Sequence, residues 1–172
     1  NRAGNLLFGR YTSADLYEDE LYITDGGKYE VRVYAMTGEL QRIVRLDRPP
    51  RPVTADDERV LREVYMARVR DEEGRQRMEE YLREWPRAEH KAWLSGLVVD
   101  MTGHIWVEEY EPYWVHTPRT WSVFAPDGRW LGSTRLRARY RVMEIGEDYV
   151  LGVWRDEDDV EHVLLYGLER DP

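Results

Sequence analysis

The sequence predicts an all-β fold with a helical insert, built from antiparallel four-stranded meander repeats. Three observations predict it. A strand–turn–strand phrase is written twice: "VRVYAMTGELQRIV" (Val31–Val44) aligns without a gap on "WSVFAPDGRWLGST" (Trp121–Thr134), so that Val33-Tyr34-Ala35 falls on Val123-Phe124-Ala125 and Thr37-Gly38 on Asp127-Gly128. Over most of the chain, apolar residues alternate at period two between glycine-bearing turns, the pattern of half-buried strands. One segment, from Thr54 to Pro86, changes to helical spacing and separates the two copies of the phrase.

The first unit runs from Tyr11 to Leu46. Its expected strands are Thr12–Tyr17, Glu20–Thr24, Tyr29–Ala35 and Glu39–Leu46, joined by the acidic turn Glu18-Asp19, by "DGGK" (Asp25–Lys28) and by "MTG". "DRPPRPV" (Asp47–Val53) ends the pattern, because three prolines in four positions do not fit a central strand. Thr54 is a good helix N-cap, and Asp56, Asp57 and Glu58 suit the positive end of a helix dipole. The apolar stripe Val60, Leu61, Val64, Tyr65 and a second stripe Met78, Tyr81, Leu82, Trp85 predict two helices, or one kinked helix, over residues 55–84. Gly74 is the expected break and Pro86 the stop. Val60, Leu61, Val64, Tyr81 and Leu82 are expected to point inward.

Strands return at Trp93. Trp93–Asp100, His104–Tyr110, Arg119–Ala125 and Arg129–Leu136 make a second unit. Arg139–Gly146, Tyr149–Arg155 and Val160–Leu168 match the first three strands of a third, which has no fourth. The whole chain then reads as one domain: a unit at 11–46, a helical insert at 54–86, a unit at 93–136 and an incomplete unit at 139–168. With the insert set aside the period is about 45 residues, that of a β-propeller blade. Residues 1–172 would form about three blades of a β-propeller. The competing architecture is a small sandwich or an open meander.

"LYITDGGKYEVRVYAMTGEL", "GLVVDMTGHIWVEEY…WSVFAPDGRWLG" and "YVLGVWRDEDDVEHVLLYGL" resemble six-bladed β-propellers of the NHL-like and TolB-like kind found in bacteria. The likeness covers about Tyr11–Arg170. It lies in structural turns and core positions, so it speaks to architecture more than to function. It implies that these units are the C-terminal part of a propeller whose other blades, and the strand completing the last blade, come from upstream. It also implies export to the periplasm or cell exterior.

The chain has 172 residues, a net charge of −9 and a pI near 5.0. An acidic chain is a poor partner for nucleic-acid phosphates or anionic lipid. It has no cysteine, which excludes disulfides, thiolate metal sites and cysteine nucleophiles. No apolar run approaches the roughly 18 residues of a membrane span, and "NRAGNLLFGR" lacks the apolar stretch of a signal peptide. A chain that opens on Asn is expected to be a mature or trimmed product.

In an up-and-down meander, the second-to-third connections and the connections between units emerge at one end. The long ones all belong there: Asp47–Ala92, the loop Glu111–Pro118 and the acidic "DEDD" (Asp156–Asp159). Elaborated ends on rigid scaffolds are where binding usually lives. Tyr110, Tyr113, Trp114 and His116 are the candidate residues there, forming an aromatic platform for a protein, peptide or glycan partner. The competing reading makes Trp93, Trp106 and Trp154 packing residues between units, with Tyr113 and Trp114 covering the insert. "DEDD" lacks the spaced ligands and glycine of a calcium loop and reads as a solvated turn. His90, His104, His116 and His162 show no metal-ligand spacing.

The function expected is a non-enzymatic binding or scaffold module, with no cofactor, no metal set and no catalytic residues. The alternative is a metal-dependent hydrolase or lactonase with an axial site. In the lactonases of such propellers, ligands stand on inner strands, and Asp100 and Glu144 are the nearest analogues here. Val160–Leu168 would be an apolar edge strand, so either self-association or upstream blades are expected to cover it.

Overall fold

In the computed structural model of the chain, residues 6–112 and 114–170 are described. They form four antiparallel sheets and two helices. Sheet one is the meander β1 (Ser13–Tyr17), β2 (Glu20–Thr24), β3 (Glu30–Ala35) and β4 (Leu40–Arg45). The insert follows, with β5 (Arg51–Pro52), α1 (Ala55–Met66), α2 (Glu72–Glu84) and β6 (His90–Lys91). Sheet two is β7 (Leu94–Val99), β8 (Ile105–Glu109), β9 (Arg119–Phe124) and β10 (Trp130–Leu136). Sheet three is β11 (Tyr140–Ile145), β12 (Tyr149–Arg155) and β13 (Glu161–Gly167). Val33 and Val123 lie in separate sheets, so the duplicated phrase is a repeat and not one continuous ladder.

The repeat extends to individual hydrogen bonds. At each of three turns a backbone N–H bonds the carbonyl four residues on: Ala35 to Glu39, Asp100 to His104 and Ala125 to Arg129, at 2.8–3.0 Å. In each, the fourth residue is glycine with φ between 82° and 88°, and its N–H returns to the first carbonyl. This geometry needs a left-handed residue, which glycine supplies without steric cost. The acidic loop uses the same bonds, Asp156 N–H to Val160 O and Asp159 N–H to Asp156 O, with Asp159 at φ 61° in the glycine place. "DEDD" is therefore a tight turn and not one of the long connections. Asp156 fills its centre, accepting from the N–H groups of Asp158 and Val160 and facing His162 Nε2 at 2.7 Å.

The sheets stack face to face, and alternation decides which side chains meet. On sheet two, Leu97, Ile105, Val107 and Phe124 pack toward Tyr22, Val31, Val33 and Val44 of sheet one. The opposite set, Val98, Trp106, Trp121 and Val123, packs toward Tyr140, Ile145, Val150 and Leu164 of sheet three. Each buried aliphatic side chain stabilises by roughly 1.5–3 kcal/mol. Register makes Tyr22 the counterpart of Trp106, and Val33 that of Val123. Both junctions thus use the same pair of faces. A polar tie joins the first junction, where the Tyr29 hydroxyl lies 2.7 Å from Ser122 Oγ and 3.0 Å from Glu109 Oε1.

The two outermost faces are uncovered among the described residues. On sheet one these are Leu16, Ile43 and the half-buried Leu21, Ile23 and Tyr34. On sheet three they are Val163 and Leu165, 75% and 64% exposed. Beyond β13 no strand pairs among the described residues.

The insert holds its own small core. Leu61 and Leu82 are buried with Leu7 and Phe8, and Val53, Tyr65, Met66, Met78, Trp85 and Trp114 pack around them. Thr54 caps α1 in a reciprocal capping box with Asp57. Asp57 also takes two hydrogen bonds from Lys91 Nζ at 2.9 Å, fastening the helix start to β6. Two details differ from the sequence reading. The helices break before Asp71, the N-cap of α2, and Gly74 lies inside the first turn of α2, donating to Asp71 Oδ1. Tyr81 is 37% exposed, while Trp85, whose ring it meets at 4.9 Å, packs against the insert core. In keeping with prolines that do not fit a central strand, Pro52 lies in the two-residue ribbon β5–β6 at the neck of the insert, where an edge tolerates it. The segment around Leu7 also runs beside the chain leaving α2, exchanging backbone bonds with Pro86 and Ala88.

Candidate functional site

The first strands of the three sheets converge. β1 lies beside β7, and β11 touches β7 more lightly. Where their starts meet the ends of β8 and β12 and the starts of β9 and β13, the sheets leave a cleft of about 740 Å³. This is the end at which the insert and the loop 111–118 emerge, so the elaborated end carries a concavity as well as loops.

The sequence shapes that cleft through a local irregularity. The β7–β8 ladder slips between Leu94 and Gly96, a β-bulge. Gly96 is needed beside it, because a Cβ there would stand 3.1 Å from both Cβ and Oε2 of Glu108. Glu108 consequently lies close over the strand and accepts a hydrogen bond from Ser95 Oγ at 3.0 Å. Burial pushes its carboxyl above the ordinary glutamate range, against the Ser95 hydrogen bond and the Arg119 charge.

Beside Glu108 two donors lack acceptors. Arg119 Nη1 and Trp121 Nε1 are buried with no hydrogen-bond partner among the described residues. Among the described residues Arg119 makes one hydrogen bond, from Nη2 to Pro112 O at a long 3.4 Å. Orphaned buried donors cost about 1–3 kcal/mol each, so they mark a place where something else can bind. Around the rim, Arg139 pairs with Asp159, and Arg155 with Glu161 at 2.7 Å. Leu97, Val98, Val142 and Val153 give the cleft apolar walls.

Of the four residues singled out from sequence, His116 alone lines this cleft. Tyr110 is buried at the end of β8, where its backbone ties to Trp93 and Arg51, and burial pushes its hydroxyl up to about 12. Trp114 belongs to the core of the insert and meets the Phe8 ring edge-on at 5.7 Å. Tyr113 lies outside the described residues. Trp106 and Trp154 pack between sheets two and three, and Trp93 lies against Tyr29.

The two carboxylates noted for an axial metal site are engaged elsewhere. Asp100 is buried in the β7–β8 turn, at the far ends of those strands from the cleft. It accepts from the N–H groups of Thr102 and His104, from Thr102 Oγ1, from Trp106 Nε1 and from Arg170 Nη2, all at 2.7–2.9 Å. Burial alone would raise its pKa; these donors outweigh it and hold it below the usual carboxylate range. Glu144 accepts from the Tyr149 hydroxyl at 2.5 Å. Among the described residues no three His, Asp or Glu side chains come together as a metal-binding group.

Sequence reasoning missed Ser95, Glu108, Arg119 and Trp121. Their signal lay in departures from the repeat, since the gap-free alignment sets Trp121 on Val31, and register extends it to set Glu108 on Thr24. A bulky donor and an acid thus replace small core-facing residues at one end of one unit. No protein-family model matches the chain, and no curated protein matches it.

Proposed function

We propose that the chain is a binding module in which the three sheets are blades of a β-propeller and the cleft at their first strands receives a ligand. The blade reading draws support from the repeated junction faces, the shared turn geometry and the convergence of β1, β7 and β11. The binding reading rests chiefly on one observation: two residues that line the cleft, Arg119 and Trp121, each carry a buried donor with no partner among the described residues. Preformed concavities with apolar walls and a few polar groups are the usual form of small-ligand sites.

Thermal denaturation in the presence of a broad metabolite set tests it. A ligand at a hundred times its Kd stabilises by about 2.7 kcal/mol, a clear rise in midpoint. At least one compound should raise the midpoint of the wild-type chain and fail to raise that of Val153→Trp, whose side chain fills the cleft. If every stabilising compound acts equally on both proteins, the cleft is not the site.

A further inference from the structure

The geometry points to a small organic anion as the occupant of this cleft, its carboxylate or phosphate held by Arg119 and Arg141 and its apolar body against Leu97, Val98, Val142 and Val153. The inference rests on the binding reading above and adds the chemistry of the ligand.

Charge is the first ground. Four arginines (Arg119, Arg139, Arg141, Arg155) and two glutamates (Glu108, Glu161) line the cleft of a chain whose net charge is −9. Positive lining on an acidic molecule concentrates anions there. The neighbouring crevice at the neck of the insert, also at this end, is basic too, with Arg10, Lys28, Arg48 and Arg51 in its wall. Occupancy is the second ground. Arg139 and Arg155 have carboxylate partners, whereas Arg119 and Arg141 make no ion pair among the described residues. A guanidinium with one buried amino group left bare is a poor resting state, and an oxyanion entering the cleft would complete it. Because Nη1 is covered, binding would turn the Arg119 fork toward the cleft. The third ground is Trp121, which lines the same cleft, is 4% exposed, and has a buried indole N–H with no acceptor among the described residues. An anion can accept from it and a cation cannot.

Of the two glutamates lining the cleft, Glu161 is paired with Arg155, which leaves Glu108 to oppose an anion when ionised. Its surroundings are Ser95, His116, Arg119, Arg139, Arg141, Arg155 and Glu161. Burial favours its neutral form, in which it donates instead of repelling.

Titrations followed by the indole N–H resonance of Trp121 test the inference with four matched probes: benzoate, phenyl phosphate, benzamide and benzylamine. Benzoate or phenyl phosphate should shift that resonance saturably, and benzamide and benzylamine should not. Arg119→Gln should weaken the anion at least about tenfold, the loss of one charge-assisted hydrogen bond. The exposed Arg141→Gln, which leaves the core untouched, should weaken it several-fold. Glu108→Gln should bind the anion at least as tightly as wild type. Preferential binding of benzylamine, weakened by Glu108→Gln, would overturn the anion and leave the binding reading standing. Saturable shifts by benzamide alone would do the same. If none of the four binds in the cleft, the anion inference fails, and the metabolite denaturation series then decides whether the binding reading fails with it.

Discussion

Two carboxylates placed at opposite ends of the same strands respond to pH with opposite sign. Asp100 is held ionised by five donors. Its folded pKa lies below the unfolded value, so its contribution is present above that unfolded value, about 3.9, and is lost as pH falls through the folded one. Asp100→Asn should therefore cost about 2 kcal/mol near neutrality, because buried donors face an amide that cannot satisfy them all, and the cost should shrink in acid. Glu108 is raised by burial. The folded protein binds that proton more tightly than the unfolded chain, so wild type loses stability as pH rises from the unfolded value of about 4.3 through the folded pKa. Glu108→Gln should match wild type in acid and exceed it at neutral pH. Urea midpoints of both variants between acid and neutral pH check the two signs together. Neither role is written in the residue types. An aspartate before a turn glycine reads as turn chemistry in any sequence, and Glu108 becomes special only because Gly96 and the bulge bring β7 close over it.

Turns and the insert obey rules that the sequence states openly, with exceptions that have physical causes. Gly38 and Gly128 announce their hairpins because only a left-handed residue closes them. Asp159 closes one as well, but aspartate also occurs in ordinary turns, so "DEDD" looked like a loop. Gly38→Ala should cost about 1–2 kcal/mol from backbone strain alone, since open space surrounds it. Gly128→Ala should cost more, because its new methyl would stand 3.0 Å from Val44 Cγ2. Chemical denaturation of the pair measures that difference. In the insert, the helical stripe correctly gave Leu61 and Leu82 as core. What it could not give was the partner, because Leu7 and Phe8 come from the segment before β1, with the whole of sheet one between them and the insert in sequence. Leu61→Asp places a charge in that core and should cost several kcal/mol locally, on the order of 3 or more. Limited proteolysis should then cut within residues 55–84 of the variant while the sheets stay resistant. An insert as resistant as wild type would contradict its packing.

At the scale of the molecule, the repeat was legible and the cleft was not. The gap-free phrase and period-two alternation specify three similar sheets. The cleft gathers the ends of strands from three separate units, so no local pattern contains it. The same repeat explains the outer faces. Leu165 occupies on sheet three the place that Val33 and Val123 fill beneath a following sheet, yet it stands 64% exposed. Such a face favours association with another sheet. The 172-residue chain should sediment as more than a monomer at high concentration, and Leu165→Lys should shift it toward monomer. A monomer at all concentrations would show that the face is tolerated bare in this chain.

The cleft exists only if the sheets pack through the same two faces at both junctions. Nuclear Overhauser contacts between methyl groups read this directly. Methyls of Val31, Val33 and Val44 should show cross-peaks to Leu97, Ile105 and Val107, and those of Val98 and Val123 to Ile145, Val150 and Leu164. Cross-peaks placing Val33 beside Val123, or Leu97 and Val107 beside Val150, would contradict the stacked repeat.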